Sequence, residues 1–108
     1  MSDFTREEVI EKLEAKEKLG QIDLSGINLS NAFLHAAFLE GADLRGADLR
    51  KAHLRRVDVR EADLRNAHLH GADIREADLR WARYDKNTWL PDYLDPEDVK
   101  MVLVEDDD

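Results

Sequence analysis

The chain has 108 residues, no cysteine and a formal net charge of −9. This length suits a single domain, and the lack of cysteine removes disulfides, thiolate nucleophiles and cysteine metal clusters from consideration. No apolar run approaches the roughly eighteen residues of a membrane helix, and polar, charged residues follow Met1, so the reading is a soluble, cytoplasmic protein without a signal peptide.

The acidity is uneven. Residues 1–21 set four basic against six acidic side chains, −2; residues 22–86 carry eleven of each; residues 87–108 set one against eight, −7. These three stretches are the expected divisions: a capping helix over 1–21, a repeat body over 22–86, and a closing segment with an acidic tail over 87–108.

Taken in order, the chain begins with a helix signal. Thr5 with Glu8 three residues later makes a capping box, and Phe4 and Val9 are placed as a hydrophobic staple. The spacing predicts a helix over about residues 6–19, with the apolar stripe Val9, Ile10, Leu13 and Leu19, stopped by Gly20.

An apolar residue then recurs at every fifth place: Leu24, Leu29, Leu34, Leu39, Leu44, Leu49, Leu54, Val59, Leu64, Leu69, Ile74, Leu79 and Tyr84. Two places before each stands a second inward candidate, mostly alanine: Ala32, Ala37, Ala42, Ala47, Ala52, Ala62, Ala67, Ala72, Ala77 and Ala82, with Ile22, Ile27 and Val57 as the larger exceptions. Alanine, leucine and arginine favour helix, yet residues five apart on a helix stand about 140° apart, so both columns would spiral around the rod. In extended backbone, residues two apart share a face. Three extended residues and a two-residue corner therefore turn the small residue and the leucine inward, each unit forming one side of a coil. One unit cannot bury its apolar face alone, so stability comes from stacking coil on coil about 4.8 Å apart. Alanine is required because leucine already fills a narrow tube. The helix over the first coil would cover its open end.

Beyond Ala82 the five-residue count places Tyr84, Trp89 and Leu94 at centres, while Asn87 and Asp92 replace the small residue. The expectation is an aromatic plug on the last coil. Asp95 and Pro96 could open a short helix, whereas Val99 and residues 101–104 look extended; both alternatives stand for 96–104. Residues 105–108 read as a disordered acidic tail.

These repeats, in the pattern Ala-(Asp/Asn)-Leu-x-x, resemble the pentapeptide-repeat proteins over residues 22–86. The resemblance implies a right-handed quadrilateral β-helix of about three coils, four units per coil, and the stretch Tyr84-Asp85-Lys86-Asn87-Thr88-Trp89-Leu90-Pro91 resembles the closing segment of that family. Phe33, Phe38, His53, His68 and Arg83 depart from the Asp/Asn position, and Val59, Ile74 and Tyr84 from leucine.

Six units place Asp before the centre and Arg after it: Asp43/Arg45, Asp48/Arg50, Asp58/Arg60, Asp63/Arg65, Asp73/Arg75 and Asp78/Arg80. They read as an outward lattice of exposed ion pairs, each worth about 0–1 kcal/mol. Family members that protect DNA gyrase are thought to imitate duplex DNA, which implies topoisomerase modulation as the alternative function; mimicry needs a continuous anionic face, which a neutral body lacks. With four units per coil, Arg55, Arg56 and Arg75 stack near His35 and His53 as the most basic patch, interrupted by Asp73 and Glu76, and nucleic-acid binding is not expected. His68 and His70 project two residues apart and suggest a weak metal or pH sensor, but no third ligand converges. No nucleophile, base and oxyanion donor share a cleft. Neither enzymatic activity nor a cofactor is expected. Phe33, Phe38 and Trp81 occupy outward positions: the first two are expected under the N-terminal segment and Trp81 under the closing segment, or else they are partner contacts. The reading is a protein-interaction or scaffold module, monomeric or weakly dimeric.

Overall fold

The five-residue period becomes five-residue sides. In the computed structural model, which describes residues 4–105, parallel bridges join Lys18 to Phe38, Asp58 and Asp78 in succession; Asp23 to Asp43, Asp63 and Arg83; Asn28 to Asp48, His68 and Trp89; and Phe33 to His53 and Asp73. Partners twenty residues apart mean that four sides complete a turn. The chain is a β-helix type solenoid, and its faces are numbered here from these columns: face 1 from Lys18, face 2 from Asp23, face 3 from Asn28, face 4 from Phe33. Regular elements are few: α1 (Arg6–Glu14), β1 (Arg83–Tyr84) and β2 (Val102–Leu103), the last two paired in parallel. Each side is extended too briefly before it turns to count as a strand of ordinary length.

The tube is filled as the spacing requires. Leu24, Leu29, Leu34, Leu39, Leu44, Leu49, Leu54, Val59, Leu64, Leu69, Ile74 and Leu79 are buried, as are Ala32, Ala37, Ala42, Ala47, Ala52, Ala62, Ala67, Ala72 and Ala82. Full burial of each leucine contributes about 1.5–3 kcal/mol. Ile27 and Val57 are buried too, whereas Ile22 is partly exposed. Ala77 and Tyr84 are likewise only partly buried, which corrects the expected core. Both belong to the last turn, where no complete turn lies above them.

At each corner the centre's carbonyl accepts the N–H three residues on, as from Ala42 to Leu39 and Ala47 to Leu44, both at 3.0 Å. The residue before the acceptor's partner has positive φ, as at the third position of a type II turn. Glycine occupies four of these corners, Gly26, Gly41, Gly46 and Gly71, but Gln21, Ala36, Lys51, Arg56, Glu61, Glu76 and Trp81 hold φ between 57° and 64°. Left-handed backbone costs an L-residue about 1–2 kcal/mol. The ladder above and below offsets that cost by fixing both flanks of every corner.

The N-terminal capping box is present: the Glu8 N–H donates to Thr5 Oγ1 at 3.1 Å and the Thr5 N–H to Glu8 Oε1 at 2.8 Å. The helix, however, ends at Glu14 rather than near Leu19. Lys16 enters the left-handed region at φ 62°, its N–H donating to the Leu13 carbonyl and that of Glu17 to the Lys12 carbonyl, a Schellman arrangement. Ala15, Lys16 and Glu17 are good helix formers, so tertiary structure overrides propensity. The early stop frees Lys18 and Leu19 to form the first side of face 1, with the Leu19 N–H donating to the Phe38 carbonyl. The ladder thus begins at Lys18, before Ile22. Gly20 does not stop the helix; a Cβ there would stand 3.0 Å from the Glu40 carbonyl oxygen, so glycine permits close approach of consecutive turns. Val9 and Leu13 of α1 are fully buried in the same cluster as the tube, and the Arg6 guanidinium donates to the Asn28 carbonyl.

The C-terminal end corrects a second expectation. His68 pairs with Trp89, twenty-one residues on, because one extra residue is inserted after Tyr84. Trp89 is therefore an outward residue, 61% exposed, and Leu90 turns inward in its place. The inserted residue is absorbed by a turn on the Asp85 carboxylate. Its Oδ1 accepts the Asn66 and Asn87 N–H groups at 3.1 and 3.0 Å and the Thr88 hydroxyl at 3.1 Å. Residues 96–100 form a turn closed by Met101 N–H to Pro96 carbonyl and Lys100 N–H to Glu97 carbonyl, with Lys100 at φ 63°. The chain then extends as β2 over β1. Residues 106–108, three of the four in the expected disordered tail, lie outside the described residues.

Candidate interaction faces

The outward columns decide what the solenoid can touch. Where Asp precedes a centre, its Oδ1 accepts the N–H two residues on: Asp43 from Arg45 at 3.1 Å and Asp58 from Arg60 at 3.2 Å, for example. This is an Asx turn that satisfies a corner donor. Asp23 and Asn28 do the same for the Ser25 and Ser30 N–H groups, and also accept the serine hydroxyls at 2.7 Å. When the second residue is arginine, its guanidinium folds back on the same carboxylate: Arg45 Nε lies 2.9 Å from Asp43 Oδ1 and its Nη2 2.7 Å from Oδ2. All six Asp-x-Arg units make this fork. The carboxylates are correspondingly held below their usual range. At Asp43, Asp48, Asp58, Asp73 and Asp78 the arginine hydrogen bond is the foremost cause, and Asp73 reaches about 2. At Asp63 burial pulls upward most strongly, yet the hydrogen bonds from Arg65 prevail.

The expected basic patch forms on face 4 but is compensated. Arg55 and Arg56 both approach Glu76, at 3.7 and 3.2 Å, and Arg75 is forked on Asp73. What the charge lattice leaves uncovered is aromatic. Phe33 stands 68% exposed, its ring stacked on His53 with centroids 4.4 Å apart and planes 16° from parallel. The expectation that the N-terminal segment covers Phe33 fails because α1 stops early and packs over the tube's interior. Phe38 is half-buried in a shallow groove with Lys18, Gly20, Glu40, Asp58 and Arg60, and the Lys18 ammonium lies 5.7 Å from its ring centre. Trp81 is 51% exposed; its backbone N–H donates to the Lys100 carbonyl at 2.7 Å, and the Arg80 guanidinium lies 5.3 Å from its ring. The closing segment thus ties down the Trp81 backbone without covering the ring. His68 lies half-buried with Trp89 tilted against it at 5.2 Å, while His70 is exposed. Among the described residues no three His, Asp or Glu side chains gather as a metal site.

The period missed Trp89 and Tyr93, respectively 61% and 57% exposed, and the exposure of Val102 and Leu103. A signal was present: Leu90 lies six, not five, residues after Tyr84, with Asp85, Asn87 and Thr88 supplying turn chemistry between them. No helix among the described residues is long and apolar enough to cross a membrane.

Comparison with known proteins finds the same repeat. Eight copies of pentapeptide repeats match residues 22–60 and 42–80. A crystal structure of a pentapeptide repeat protein from the cyanobacterium Cyanothece 51142 is similar, with 36% identity and a TM-score of 0.59 over 69% of this chain; the chain spans 55% of that protein. A pentapeptide repeat protein from Nostoc Pcc 7120 shares 30% identity, with a TM-score of 0.41 over 93% of this chain and 96% of its own. One from the Arabidopsis thaliana thylakoid lumen shares 20% identity, with a TM-score of 0.47 over 68% of this chain and 70% of its own. No curated protein matches the chain.

Proposed function

This chain belongs to the pentapeptide repeat family, and on that premise we propose that it is a non-enzymatic interaction module. It is a right-handed, four-sided β-helix of about three turns, closed by α1 at one end and by residues 87–104 at the other, that holds side chains at fixed spacing for a protein partner. The observation that carries this reading is Phe33, 68% exposed at a position where most units of the repeat set Asp. An exposed aromatic on rigid backbone loses little entropy when covered, and such residues dominate interface energetics. The filled interior supports a role without catalysis: the buried residues described are apolar, with no buried polar or charged side chain.

Mimicry of duplex DNA toward a topoisomerase has less support. A mimic presents uncompensated negative charge at phosphate-like spacing, whereas the six forked carboxylates each carry their own guanidinium. The test is affinity capture from the native cell with the wild-type protein and with Phe33→Ser, Phe38→Ser and Trp81→Ser. A partner recovered by the wild type and lost from at least one variant of unchanged thermal stability is expected. Inhibition of gyrase supercoiling by the wild type, with no aromatic-dependent partner, would instead favour the mimic.

A further inference from the structure

Groups from the C-terminal segment close the last turn on faces 4, 1 and 2. On face 4 the Tyr93 hydroxyl accepts the Ile74 N–H and donates to the Ala72 carbonyl; on face 1 the Lys100 carbonyl accepts the Trp81 N–H. On face 2 the closing group is itself a strand. The Val102 and Val104 N–H groups donate to the Ala82 and Tyr84 carbonyls, both at 2.8 Å, and this parallel register leaves the Leu103 N–H and carbonyl pointing away from β1. No hydrogen bond is formed by either group among the described residues. Val102 and Leu103 are 43% and 48% exposed, and a groove of about 360 Å³ runs beside them, lined by Asp85, Lys86, Asn87, Leu103, Val104 and Glu105. An unpaired edge with apolar side chains is a template for another strand.

We infer that β2 accepts an extended, basic segment of another protein as an added strand, continuing the face 2 ladder by one rung. This deepens the interaction reading above and rests on it. Two observations choose the occupant. The ladder already repeats this pairing at every turn of face 2, so the edge has the geometry of an occupied rung. Glu105 lines the groove beside β2, and the described C-terminal residues 87–105 set five acidic side chains against Lys100, a charge of −4, which attracts Lys or Arg flanking the incoming strand. A second copy is disfavoured by the same charge, since pairing two β2 edges brings two acidic C-terminal segments together.

The probe is the peptide Lys-Thr-Lys-Val-Lys-Thr-Lys, titrated into the full chain with solvent exchange of the Leu103 amide read by NMR. Saturation is expected to slow that exchange about tenfold or more, as for a newly hydrogen-bonded amide, and binding is expected to weaken in 0.5 M salt, a probe concentration chosen to shorten the Debye length to about 4 Å. Leu103→Pro removes the outward donor together with the leucine side chain, at an edge position that tolerates proline; it is expected to keep the wild-type melting temperature and lose the peptide. Backbone N-methylation of the peptide at alternate residues tests the same bonds without altering the protein. Unchanged Leu103 exchange at saturation, equal binding of the Glu-for-Lys peptide, or concentration-dependent protection of Leu103 in the protein alone, the sign of a second copy, would each overturn the inference. A cellular partner lost with Phe33→Ser but kept with Leu103→Pro would overturn it while leaving the interaction reading intact.

Discussion

The Tyr93 hydroxyl takes the place of a backbone rung for Ile74: it accepts that residue's N–H at 2.7 Å and donates to the Ala72 carbonyl at 3.0 Å. A side chain thus satisfies both groups that another turn would have paired, and the ladder on face 4 ends without a fourth strand.

Tyr93→Phe keeps the ring and removes only this closure. With the Ile74 and Ala72 groups part-buried, we expect a loss of about 1–2 kcal/mol, measured as a lower urea midpoint at unchanged slope. A midpoint within error of wild type would mean that water replaces the hydroxyl fully.

The left-handed corners separate conformational strain from contact. Ala36→Gly is expected to stabilise by about 0.5–1 kcal/mol, since Ala36 holds φ 57° where glycine is unstrained. Gly46→Ala should cost about 1 kcal/mol from conformation alone, because an added Cβ meets nothing within 4 Å. Gly71→Ala should cost more, its Cβ lying 3.2 Å from the Lys51 Cγ in the turn before. Denaturation midpoints giving the reverse order of the two alanine variants would show that Lys51 yields freely.

The interior tolerates little added volume. Ala62 is fully buried beside the leucine column, so Ala62→Phe is expected to destabilise by about 1–3 kcal/mol through overpacking. Calorimetry showing a near-native melting temperature would contradict an inward alanine column.

The forked carboxylates make stability depend on acid. Their folded values lie below the ordinary one, Asp73 near 2, so their contribution is complete above the unfolded value of about 4 and disappears as pH falls through the folded values. The urea midpoint should stay level from pH 7 to 5, probe conditions chosen above that transition, and decline between about pH 4 and 2. Asp73→Asn should differ from wild type most at neutral pH and converge with it in acid. A constant difference across the range would remove the fork from the explanation.

The sequence alone determined the tube, because period five is incompatible with a helical face and two-residue alternation in extended backbone sends Leu44 and Ala42 to one side. It also determined the Asp-x-Arg pairs and the capping box at Thr5 and Glu8, which depend on residues at most three apart. Tertiary structure decided where the pattern starts and where it slips. The helix ends at Glu14, and Lys16 turns left-handed beyond it, because Lys18 must lie beside Phe38, a partner twenty residues away, although local propensity favours continuing. Trp89 turned outward because Asp85 gathers Asn66, Asn87 and Thr88 into a turn one residue longer, and a register shift of one residue exchanges inside for outside. Local spacing could reveal the extra residue, but only the turn below, through His68, decides which side chain it displaces.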